Sequence, residues 1–198
     1  MTMMKKHTVL YSIIILLLFF CFPEVIISSS TSYYFRTLGI NDGLSQSTVN
    51  AILQDQKGFM WIGTKDGLNQ YDGQECRVFQ KENSSLGNNF ITALYEDCEG
   101  YIWVGTDAGV YIYNPVQEAF QFLDTEIASS GEKITRAVTW ITSDSQNNIW
   151  ISVDNQGLFC YNRGKKNLTK VVSCGKSGIA NVTHFWFYAG QLWIARYE

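Results

Sequence analysis

A repeat restricts the fold of this chain more than any other feature. Residues 55–73 read DQKGFMWIGTKDGLNQYDG, and the pattern returns at 97–114 as DCEGYIWVGTDAGVYIYN. It comes again at 144–162 as DSQNNIWISVDNQGLFCYN, with one extra residue before Gly157. Trp61 is matched by Trp103 and Trp150, Gly63 by Gly105, Thr64 by Thr106 and Tyr71 by Tyr113. A partial fourth copy, YAGQLWIA, is centred on Trp193. The period is 42 residues and then 47, with an apolar–Trp–apolar strand between two turns, which predicts β-propeller blades.

Each part of the unit has a physical reason. Asp and Gly in residues 55–58 tolerate the backbone angles of a tight hairpin. Residues 59–63, Phe-Met-Trp-Ile-Gly, are apolar on both faces, as suits a strand packed between neighbouring blades. Trp61 offers a large apolar area for packing, and Gly63, two residues along on the same face, leaves room. Asp66-Gly67 predicts a second turn, residues 68–71 a third strand, Asp72-Gly73 a third turn and residues 76–80 an outer strand. The expected architecture is all-β: four-stranded antiparallel sheets, three complete blades and a truncated fourth, an open fragment of a larger propeller. Blades 1 to 3 are assigned to residues 48–81, 90–124 and 134–172, and partial blade 4 to 181–198.

Residues 40–73, INDGLSQSTVNAILQDQKGFMWIGTKDGLNQYDG, closely resemble the first blade of the two-component regulator propellers. That family forms the periplasmic sensor region of hybrid two-component histidine kinases in Bacteroidetes. The resemblance covers almost the whole chain beyond its first residues. It implies a parent protein with paired propellers, a further β domain, one membrane helix, a kinase core, a receiver and a DNA-binding domain. It also implies an oligosaccharide ligand from polysaccharide breakdown, an inner-membrane anchor, and a homodimer completed by the remaining blades of the parent sensor. Residues 1–198 contain neither kinase nor output region, so no enzyme activity and no signalling are expected of them alone.

The N-terminus predicts export. Lys5, Lys6 and His7 form a basic segment, residues 9–22 an apolar run, and residues 28–32 a small polar stretch. This reads as a signal peptide over residues 1–30 and a periplasmic mature chain. The run is shorter than a spanning helix of about 20 residues, although an uncleaved anchor remains an alternative. Lipidation at Cys21 is disfavoured because Phe20 is bulky. Residues 31–47 form an N-terminal strand and lead-in, with the strand expected over 33–38. A net charge of −3 speaks against a nucleic-acid surface.

The search for chemistry finds little. Cys76, Cys98, Cys160 and Cys174 follow no metal-ligand spacing. No cofactor motif, nucleophile motif or HExxH appears, so no catalytic residue, metal or cofactor is assigned. The aspartates at 42, 55, 66, 72, 97, 107 and 144 are accounted for by turns. His184 reads as an interior or channel residue. Two tryptophans break the repeat. Trp140 replaces Ala51 and Ala93 in the innermost strand, and Trp186 is read at the position of Gln54, Glu96 and Ser143. Aromatic faces at a channel mouth suit sugar rings, with Arg136 and Asn89 as polar partners; filling of an irregular core is the plainer reading. The competing function is an exported propeller enzyme of the streptogramin-lyase-like or quinoprotein type.

Overall fold

The computed structural model of the chain describes residues 33–126, 131, 133–171, 182–188 and 191–196. It divides into two units, residues 1–36 and 37–198. The expected signal peptide lies outside the described residues. In the first unit, residues 33–36 carry no regular structure. The strand expected over 33–38 is therefore absent. An extended segment without a ladder partner leaves its backbone groups unpaired and does not hold as a strand.

The second unit begins with a 3-10 turn, Ile40–Asp42, and is otherwise strands and turns among the described residues. The first sheet is formed by β1 (Val49–Gln54), β2 (Met60–Thr64), β3 (Gly67–Tyr71) and β4 (Cys76–Phe79). The second has β5 (Ile91–Glu96), β6 (Ile102–Thr106), β7 (Gly109–Asn114) and β8 (Ala119–Phe122). The third has β9 (Val138–Ser143), β10 (Ile149–Val153), β11 (Gly157–Asn162) and β12 (Asn167–Lys170). A two-stranded sheet pairs β13 (Val182–Tyr188) with β14 (Gln191–Arg196). Within each sheet the pairing is antiparallel and sequential, and β1, β5, β9 and β13 pack side by side as the innermost strands. These are propeller blades. No helix among the described residues is long and apolar enough to cross a membrane.

The hairpins show why the repeat keeps its turn residues. Gly58, Gly100 and Asn147 occupy equivalent positions with φ of 91°, 82° and 61°. Glycine adopts this left-handed backbone freely and asparagine tolerates it, so the third copy can replace glycine here. The extra residue before Gly157 enlarges the β10–β11 loop to Asp154-Asn155-Gln156, with Asn155 at φ 53°.

The core lies between the sheets. Trp61 packs with Leu68, Phe79 and Leu86 of its own repeat and with Ile91, Ile102, Tyr113 and Phe120 of the next. Its ring centroid is 5.0 Å from that of Tyr113. Trp103 meets Tyr161 at 5.6 Å, and Trp150 meets Phe187 at 5.1 Å, so each indole is received by an aromatic ring of the following blade. The glycine two residues after Trp61 and Trp103 permits this approach. A Cβ at Gly63 would sit 2.5 Å from Ile91 Cγ2, and one at Gly105 would sit 2.7 Å from Val138 Cγ1.

Candidate functional site

Three carboxylates that turn chemistry seemed to explain do more than form turns. Asp55 Oδ1 accepts the backbone N–H groups of Lys57 and Phe59, while Oδ2 accepts the Trp61 indole N–H at 2.8 Å. Asp97 does the same for Glu99, Tyr101 and Trp103, the indole bond measuring 2.7 Å. Asp144 repeats it with Gln146, Asn148 and Trp150 at 2.9 Å. One carboxylate thus closes the hairpin and anchors the tryptophan six residues later. Burial pushes the Asp144 carboxyl upward, but the bonds from Trp150, Asn148 and Gln146 outweigh it and hold it below the ordinary range.

The sequence-selected aromatics fall into two contacting pairs. Trp140, 39% exposed, stands opposite Ser152 in β10, the register held by Ala51 opposite Gly63 and Ala93 opposite Gly105. Its ring lies 4.8 Å from that of His184 on β13. Trp186 stands opposite Trp193, and the two indoles stack at 6.4 Å with planes 9° apart. This corrects the register read for Trp186. Its equivalents are Leu53, Tyr95 and Thr142, the partners of Trp61, Trp103 and Trp150, whereas Phe187 corresponds to Gln54, Glu96 and Ser143. The displacement arises because the β13–β14 hairpin is shorter than its counterparts. Trp186 therefore belongs to the face that receives the next blade in the other copies.

The two polar partners do not join these aromatics. Asn89 is committed to its own loop and the β2–β3 turn: its Oδ1 accepts the Lys81 N–H, and its Nδ2 donates to Glu82 and to Asp66. Arg136 is exposed and lines a recess of about 500 Å³ with Lys133, Thr135, Asn155, Gln156 and Lys170. Two larger clefts lie between blades. The cleft between blades 1 and 2 measures about 840 Å³ and contains Asp55, Trp61, Arg77, Glu96, Tyr113 and Glu118 among its walls. The cleft between blades 2 and 3 measures about 640 Å³ and includes the equivalent Asp97, Trp103, Tyr161 and Lys166. Among the described residues no group of three or more His, Cys, Asp or Glu side chains could hold a metal ion. Cys76, Cys98 and Cys160 are free thiols; burial pushes those of Cys76 and Cys160 upward.

Residues 43–66 and 85–108 match the family model described as two component regulator propeller. The chain carries two-component regulator propeller repeats. The two matches begin just before β1 and β5 and end in the turns after β2 and β6, so they take in the Asp–Trp pairs of blades 1 and 2. A 50-residue segment is 42% identical to histidine kinase P4 of Formosa agariphila, covering 25% of this chain and 4% of that protein. The chain also superposes on the extracellular domain of a hybrid two-component system from B. thetaiotaomicron, with TM-score 0.70 and 28% identity. That match covers 81% of this chain and 24% of the other. A second such domain from the same organism gives TM-score 0.65 at 22% identity, over 76% and 22% of the two chains, and supports the fold. The chain spans about a quarter of the length of these solved domains.

Proposed function

We propose that these blades form part of an exported, ligand-sensing propeller of a hybrid two-component histidine kinase that responds to oligosaccharides from polysaccharide breakdown. The similarity to a histidine kinase and to an extracellular domain at 28% identity supports the sensor reading. The observation that carries the ligand class is Trp140: a large ring, 39% exposed on an innermost strand and paired with His184, where two other blades place alanine. Such a ring offers a sugar its apolar face while the imidazole offers a hydrogen bond. The stacked Trp186–Trp193 face takes a further blade of the parent sensor, as the faces of Trp61, Trp103 and Trp150 take theirs, and the parent works as a homodimer held in the inner membrane. Signal output belongs to the kinase region of that parent, and these blades bind without catalysis.

The test is calorimetric titration of the full chain with a panel of neutral and acidic oligosaccharides. At least one should bind saturably, and Trp140→Ala should weaken it by about tenfold, the equivalent of the ~1.4 kcal/mol that one aromatic contact can supply. Unchanged affinity in Trp140→Ala would move the sugar site elsewhere. Chemical turnover of a panel member would favour the propeller-enzyme reading instead.

A further inference from the structure

Blade 3 departs from the repeat at three places that lie apart in sequence and meet in one recess. The first is Arg136. The Ala137 carbonyl accepts the Asp154 N–H, as the Thr48 and Phe90 carbonyls accept those of Lys65 and Asp107. Arg136 therefore stands where the other blades have Ser47 and Asn89. The second is Lys170, opposite Phe159 in the register that Val78 holds opposite Asn69 and Phe122 opposite Tyr111. The third is the residue added to the β10–β11 loop, which spans 154–156 where the other blades use two residues. All three border the recess of about 500 Å³.

The charged walls of this recess are Lys133, Arg136 and Lys170, and Thr135, Asn155 and Gln156 complete it. Asp124 already pairs with Lys133. Asp154, beside the recess, accepts Asn155 Nδ2 at 2.9 Å. Among the described residues no carboxylate pairs with Arg136 or Lys170, and both side chains are exposed. By contrast Arg163, which stands where blade 2 has Pro115, lies 3.1 Å from Asp97 and 2.5 Å from Glu99 of the preceding blade. Gln156 makes a different demand. Its Nε2 donates to the Lys133 carbonyl at 3.2 Å, and its buried Oε1 has no hydrogen-bond partner among the described residues. A ligand here needs negative charge for two cations and a donor for that oxygen. A bare oxyanion meets only the first need. A sugar that carries a carboxylate or sulfate meets both, because its hydroxyls donate.

We propose that, within the sugar-sensing reading on which this rests, the recess binds the carboxylate or sulfate group of an acidic oligosaccharide. Arg136 supplies planar paired donors and Lys170 a point charge. Trp140 lies four residues beyond Arg136, at most about 14 Å along the chain, so one oligosaccharide reaches both.

The full chain is titrated by calorimetry at low ionic strength with two matched pairs of sugars. These are trigalacturonate with its neutral methyl ester, and a sulfated carrageenan tetrasaccharide with its desulfated form; sodium sulfate is titrated beside them. In at least one pair the charged member should bind saturably and about tenfold or more tightly than its neutral partner, and added salt should narrow that gap. Arg136→Ala and Lys170→Ala should each weaken the charged sugar by about tenfold, the loss of one charge-assisted hydrogen bond, and leave the neutral one unchanged. Arg136→Lys should restore part of the preference. Neutral sugars bound as tightly as charged ones, or a charge preference that survives both alanine variants, overturns the recess and leaves the sugar reading standing. Sulfate bound as tightly as any sugar overturns the sugar as source. A response to sulfate that Arg136→Ala removes, with no sugar bound, strikes the sugar reading and keeps an anion site. No response to any probe overturns both.

Discussion

Trp103 and Trp193 hold the same register position in their blades, yet Trp103 is 2% exposed and Trp193 is 49% exposed. Around Trp103, Asp97 accepts the indole N–H from six residues upstream, and Tyr161 of the following blade covers the ring. Six residues before Trp193 stands Phe187, and the hairpin between β13 and β14 leaves two residues where β5 and β6 leave five. Trp193 keeps an aromatic neighbour, Trp186, but on its own sheet. The strand motif alone therefore does not bury a tryptophan. The carboxylate in the turn fixes the indole, and the next blade removes it from water.

The largest expected effect follows directly. Trp103→Ala should lower unfolding free energy by about 3–5 kcal/mol, because the neighbours cannot close over so large a void. Trp193→Ala should cost only about 1–2 kcal/mol, as half of its ring area is already solvated. Urea denaturation of the two variants beside the parent chain provides the measurement, and equal losses would erase the contrast. A smaller effect separates the carboxylates. Asp97→Ala removes the acceptor of a buried indole and leaves Arg163 facing Glu99 alone, so a loss of about 2–4 kcal/mol is expected. Asp144→Ala should lose about 1–2 kcal/mol, since Trp150 is only partly buried and no ion pair among the described residues reaches Asp144. Reversal of that order would show that the guanidinium contributes nothing at Asp97.

The blades were legible because their signals are local. Turn residues, apolar strands and the Trp–x–Gly spacing all lie within a dozen residues, and copying them in tandem removes ambiguity about register. The Asp–Trp bond was equally local, since an aspartate six residues before tryptophan recurs in three copies and is missing in the fourth. It was obscured because the same aspartates suit a turn for a sufficient and simpler reason. Trp186 was displaced by one position because counting through a shortened hairpin shifts the register, and a one-residue slip moves a side chain to the opposite face. Asn89 looked available because its bond to Asp66 ties it to a turn 23 residues upstream that sequence cannot place beside it. Arg163 could not be singled out for a similar reason. Its departure from Pro115 is visible, but its carboxylate partners lie in another blade, about sixty residues upstream.

The finest contrast lies between two carboxylates that respond oppositely to pH. Burial raises the proton affinity of Glu96, the Gln56 N–H opposes this, and Asp55 and Asp97 add to the rise. A carboxyl raised on folding stabilises the folded state below its ordinary value, 4.5 for this group, and that contribution fades as pH climbs through the folded-state value. Asp144 is lowered on folding, so its contribution is present above its ordinary value of 3.8 and fades as pH falls through the folded-state value. Glu96→Gln should thus leave the chain slightly more stable than the parent at neutral pH, with the advantage shrinking toward about pH 4. The gain should stay below about 1 kcal/mol, because solvent screens a carboxylate that is only partly buried. Asp144→Asn should show the opposite trend, with its deficit greatest at neutral pH and shrinking in acid. Urea midpoints at both pH values measure each difference. A Glu96→Gln chain less stable than the parent at neutral pH would mean that the Gln56 N–H and the Lys57 charge outweigh burial at this carboxylate.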